Sequence, residues 1–134
     1  MALREMTEDE RMREQKFLAA KIGPFVGRQM HDREIRKIEE ICADHRQRAR
    51  LRGLDMPPLA VVVMPRLGNI EIVPGDLDQS QIEVLIVNLA RKWPMVTPAD
   101  LGFAIKRAFP GYQHRIEAAR KHHGWTGGES PAAP

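Results

Sequence analysis

The chain has 134 residues, 43% hydrophobic and 29% charged, a balance that suits a single soluble globular domain and excludes wholesale disorder. Twenty-one Lys and Arg against 18 Asp and Glu leave a net charge of +3, and no apolar run approaches the roughly 20 residues that span a bilayer. The charged stretch from Met1 to Lys16 lacks the apolar segment of a secretory signal, and Cys42 has no second cysteine to pair with, so a cytoplasmic protein is expected.

Thr7-Glu8-Asp9-Glu10 has the form of a capping box: a hydroxyl cap, a carboxylate three residues on, and acids where the helix dipole favours them. A helix is predicted from there to about Ile22, where Gly23-Pro24 interrupts it. Its apolar residues are few (Met6, Phe17, Leu18, Ile22), which suits a surface or docking helix. A second helix is predicted over Gln29 to Arg52. There Ile35, Ile38, Cys42, His45 and Ala49 recur at alternating threes and fours, with Ile41 beside them. Gly53 stops it and Pro57-Pro58 prevent its resumption.

Leu59 to Met64 is a β-branched run and Ile70 to Val73 a second; the turn residues Pro65 to Asn69 between them predict a hairpin. Two strands are marginal alone, so the hairpin must lie on a helix or join another sheet. From Asp78 to Trp93, Ile82, Leu85, Ile86 and Leu89 take helical core spacing. Thr97, Pro98 and Asp100 then mark a further helix start, running to about Phe109. A last helix is predicted over Tyr112 to His123, followed by a small-residue tail from 124 to 134 that reads as flexible. The expected fold is α+β and mostly helical. An N-terminal helical arm (1–54) precedes a β-hairpin with a three-helix, helix-turn-helix-like unit (55–123).

The small net charge conceals an uneven distribution. Residues 28–52 carry eight basic and five acidic side chains, 53–90 one basic and five acidic, and 91–134 seven basic and three acidic. Two basic segments flank an acidic middle. In the C-terminal unit, the Phe109-Pro110-Gly111-Tyr112 turn separates a buttressing helix from one that can present side chains to a nucleic-acid groove. On the last helix Tyr112, Ile116, Ala119 and His123 share an inward seam. His114, Arg115, Lys121 and His122 lie mainly off it, and Lys106 and Arg107 precede them. These six residues are the candidate contacts to phosphates or base edges, since cations on one face supply the sequence-independent affinity for a polyanion. Arg46, Arg48, Arg50 and Arg52 form a second candidate, an arginine-rich phosphate clamp, although alternate positions spread them around the helix.

The stretch from Leu101-Gly102 through Ile105-Lys106 to Pro110-Gly111-Tyr112 resembles the core of LOTUS (OST-HTH) domains, as do Trp93 and Val96 upstream. The resemblance covers about residues 78–123. It implies a winged-helix fold that binds RNA or, in some members, a helicase partner, with Arg115, Arg120 and Lys121 where that family often carries basic residues. Glu117-Ala118 stand where the family has Tyr-Gly, and the segment after His123 is too short and too rich in Gly and Pro for wing strands.

Enzymatic chemistry finds little support. Cys42 and His45 have C-x-x-H spacing, with His122-His123 as conceivable further ligands, but paired zinc motifs are missing and Cys42 fits the seam as a small apolar residue. No phosphate-binding glycine loop is present. The expectation is a non-catalytic nucleic-acid-binding regulator or adaptor for DNA or RNA, without cofactor or metal. The alternative is an assembly subunit, a particle component or an inhibitor, docking on a protein partner or on a second copy through residues 7–52.

Overall fold

In a computed structural model the chain is α+β, and residues 2–112 are described here. The last predicted helix beyond Tyr112 and the tail 124–134 lie outside the described residues. In order come α1 (Glu8–Ile22), α2 (Asp32–Leu51), β1 (Leu59–Met64), β2 (Asn69–Pro74), α3 (Gln79–Lys92) and α4 (Pro98–Ala108), with single 3-10 turns at Gly23–Phe25 and Pro110–Tyr112.

The capping signals set the helix starts. The Thr7 hydroxyl accepts from the Glu10 N–H, while the Glu10 carboxylate accepts from the Thr7 N–H. Asp78 and Gln81 make the same reciprocal pair at α3. Thr97 accepts from the Asp100 N–H at α4, behind Pro98 in the first turn. Each satisfies donors that have no partner within the helix. At α2 the Glu34 carboxylate accepts from the His31 N–H, so the helix begins at Asp32, three residues later than Gln29.

Two compact units divide the chain at Asp76. The hairpin, expected to accompany the C-terminal helices, lies in the first unit with α1 and α2. The physical reason is mutual need. The predicted seam of α2 is buried at each of its five positions, Ile35, Ile38, Cys42, His45 and Ala49. Ile35, Ile38 and Cys42 pack with Val61 and Val63 of β1 and with Leu18 and Ile22 of α1. A two-stranded sheet cannot shelter its own face, and α2 supplies the cover. Residues 1–54 are therefore not a separate arm.

β1 and β2 pair antiparallel from Leu59↔Pro74 to Met64↔Asn69, so four residues, Pro65–Gly68, make the loop, one fewer than the five predicted. That loop is fastened to the segment after α1. The Gly27 N–H donates to the Gly68 carbonyl at 2.9 Å and the Met30 N–H to the Pro65 carbonyl at 2.8 Å. The N-terminal strand-like segment is tied to the end of α2 in the same way: Arg4 N–H to Gly53 O and Asp55 N–H to Arg4 O, both at 2.7 Å.

In the second unit α3 and α4 are in contact and the Pro110–Tyr112 turn packs on α4. Ile82, Ile86 and Leu89 of α3 are buried, as are Leu101, Ala104, Ile105, Phe109 and Tyr112. The inward phase of α4 settles which of its residues face solvent.

Candidate nucleic-acid interface

The arginine-rich end of α2 is engaged within the first unit. Arg46 Nε donates to the Met56 carbonyl at 2.9 Å. Arg48 pairs with Asp44 at 3.0 Å, one turn back along the helix, and Arg50 with Asp55 at 3.4 Å. Arg52 reaches across to Glu14 of α1 at 2.9 Å. Three of these four cations thus face a carboxylate of their own chain and the fourth a carbonyl.

The Arg52 contact belongs to a cluster that local sequence patterns do not reveal. Glu14 is only 7% exposed and His45 5%, and Glu14 Oε1 lies 3.1 Å from His45 Nε2 as well as near Arg52. That approach does not have hydrogen-bond geometry, and with a neutral imidazole it is a charge–dipole contact. Burial pushes the His45 pKa down, with Lys21 and Arg52 reinforcing this and Glu14 and Asp44 opposing it. The ring is held neutral at physiological pH, and the triad ties α1 to α2 where the apolar content of α1 is thin. Cys42, one turn before His45, has its thiol pushed up to about 12, mainly by burial and also by Glu39. A thiol held protonated is a poor nucleophile and a poor metal ligand. Among the described residues no three His, Cys, Asp or Glu side chains form a group that could hold a metal ion.

The second unit presents a different surface. With Leu101, Ala104 and Ile105 turned inward, the exposed side of α4 carries Ala99, Phe103 and Lys106, flanked by half-buried Asp100, Gly102 and Arg107. Phe103 is 51% exposed. Lys106 stands three residues beyond it and Arg107 four, the spacings that place side chains on neighbouring turns of one face. Among the described residues Lys106 makes no ion pair. Of the six candidates in the C-terminal unit, the structure thus places Lys106 and Arg107 together beside an exposed aromatic ring. His114, Arg115, Lys121 and His122 lie outside the described residues. Phe103 itself is absent from the sequence-derived contacts, although the spacing of Leu101, Ala104 and Ile105 carries the phase that turns it outward.

No protein-family model matches the chain, and no curated protein or solved structure is significantly similar to it. Among the described residues no helix is long and apolar enough to cross a membrane.

Proposed function

We propose that the chain is a non-catalytic nucleic-acid-binding adaptor whose contact surface belongs to the second unit. The observation that carries this reading is the exposed side of α4, where Phe103 stands beside Lys106 and Arg107. An aromatic ring next to cations fits a polyanion with flat bases, because phosphates supply charge-driven affinity and bases supply a stacking surface. His114, Arg115, Lys121 and His122, which follow in sequence, extend the basic character of the same unit. Arg46, Arg48, Arg50 and Arg52 contribute less, since recruiting them to phosphate leaves Asp44, Asp55 and Glu14 beside the ligand.

The test is the affinity of the full chain for a fluorescein-labelled 20-nucleotide oligomer, followed by anisotropy over a range of salt. Binding should weaken steeply with salt, and losing one phosphate contact in Lys106→Ala should lower the log–log slope by about 1. Arg115→Glu with Lys121→Glu should abolish binding at moderate salt, whereas Arg48→Ala should leave it nearly unchanged. Absent or salt-insensitive binding at low salt overturns the proposal.

A further inference from the structure

We infer that the ligand of the α4 face is single-stranded nucleic acid, with one base stacked on the ring of Phe103 and the adjoining phosphate held by Lys106. This rests on the nucleic-acid reading above and narrows it. The first support is the neighbourhood of the ring. Residues one turn away in the N-terminal direction are Ala99 and Asp100, and the immediate neighbour is Gly102. Helical side chains lean toward the N-terminus, so a ring at 103 lies over the turn that carries Ala99 and Asp100, and the Ala99 methyl group blocks neither a base nor its sugar. A bulky residue at 99 or 102 would close that access. The second support is charge. The Cα–Cβ bond of Lys106 tilts toward the turn that carries Phe103, which brings its ammonium group within reach of a phosphate that follows the base.

Asp100 sets the direction of the strand. It belongs to the first turn of α4, where the helix dipole favours an acid, and it would repel a phosphate there. The backbone should therefore run from the ring toward Lys106 and the C-terminal end of the helix. In that direction the two cations offset the unfavourable end of the dipole. A duplex uses such a site poorly. Its bases are stacked on one another and offer only their edges, so a single exposed ring has no π-face to meet unless the helix is opened. An unpaired strand offers every base face at once, and stacking of that kind tolerates any sequence.

The experiment compares one 20-nucleotide sequence as single-stranded DNA, as single-stranded RNA and as DNA duplex, each fluorescein-labelled, against the full chain. Variants are Phe103→Ala, Phe103→Leu, Phe103→Tyr and Lys106→Glu, all at exposed positions, with helicity checked by circular dichroism. Single strands should bind at least tenfold more tightly than the duplex. Phe103→Ala should weaken single-strand binding about 5- to 150-fold, the range for one stacked base. Phe103→Leu should weaken it nearly as much, because it keeps apolar area but loses the ring. Phe103→Tyr should bind like the unaltered chain. Equal affinity for duplex and single strand overturns the inference, as does full binding by Phe103→Leu; in either case a response to Lys106→Glu leaves the broader nucleic-acid reading standing. If no probe binds the unaltered chain, both fail. If Phe103→Ala instead abolishes self-association on size-exclusion chromatography, the face belongs to a second copy and the inference is overturned.

Discussion

The contact between the hairpin loop and the segment after α1 gives a stability test with an internal control. Gly68 and Gly27 both have left-handed backbone, at φ of 73° and 83°. They differ in surroundings. A Cβ on Gly27 would meet nothing within 4 Å, whereas one on Gly68 would lie 2.3 Å from the Arg28 nitrogen, 2.6 Å from its carbonyl oxygen and 2.7 Å from the Gly27 nitrogen. All three are backbone atoms, so no flexible side chain can yield. Gly27→Ala should therefore cost only the conformational penalty, about 1 kcal/mol. Gly68→Ala adds forced displacement of two chain segments, about 1–3 kcal/mol, and weakens the hydrogen bond from Gly27 N–H to Gly68 O, about 1 kcal/mol. The expected totals are about 1 and about 4 kcal/mol. With a urea slope of about 2 kcal/mol/M these become midpoint shifts of roughly 0.5 and 2 M. The readout should be circular dichroism at 222 nm, which follows the helices of the first unit, whereas Trp93 reports on the second. If the two variants shift by the same amount with unchanged slope, the loop does not rest on Gly27–Arg28 and the argument fails.

Thr97→Ala removes the side-chain acceptor for the Asp100 N–H and should cost about 1 kcal/mol, measured by thermal or urea unfolding, with Thr97→Ser nearly neutral. The His45 pKa is lowered from 6.5 by burial, so the folded chain resists a proton that the unfolded chain accepts. Stability is then complete above about pH 6.5 and falls as the pH drops toward the lowered value, and His45→Gln should flatten that part of the profile. The Glu10 carboxyl, held at about 2 chiefly by the Arg4 guanidinium and the Thr7 N–H, should titrate closer to 4.5 in Arg4→Met by NMR. The stabilising contribution of that pair is present above about pH 4.5 and lost toward pH 2. Cys42, pushed up to about 12, should resist thiol reagents at pH 8 in the folded chain and react at once in denaturant; rapid reaction without denaturant would contradict its burial.

Signals that act over a few residues were readable in the sequence. The seam of α2 could be written down because apolar side chains recur at Ile35, Ile38, Cys42 and Ala49, and His45 falls in phase with them. Helix starts at Thr7 and Thr97 were readable because a cap and its partner lie three residues apart, and the start near Asp78 from the apolar spacing that follows it. Glu14 was not readable. It occupies the buried side of α1 in phase with Leu18 and Ile22, but a carboxylate there reads as solvated, and its partner Arg52 lies 38 residues away. The hairpin's place with the N-terminal helices was hidden for a related reason. An apolar strand states that it needs cover, yet not which helix provides it, and the α2–β1 contact is made in three dimensions. Phe103 was half readable: the inward residues fix the phase of α4, but the residue type argued for burial.

The two basic segments show why segment charge alone does not locate an anion site. Residues 28–52 are the denser, yet their arginines sit beside Asp44, Asp55 and Glu14. An exposed pair such as Arg48–Asp44 is weak, roughly 0–1 kcal/mol, and a phosphate could displace the carboxylate. Displacement would still leave Asp44 within a few ångström of the phosphate, so the local charge that the ligand meets is near zero whether or not the pair is formed. Only the short-range hydrogen bond changes hands. On α4 the balance differs, because Asp100 is a full turn from Phe103 on the side away from Lys106 and is already placed to interact with the helix dipole. A phosphate on the C-terminal side of the ring then meets Lys106, which makes no ion pair among the described residues. What favours that face is the separation of opposite charges along one helix, not their number.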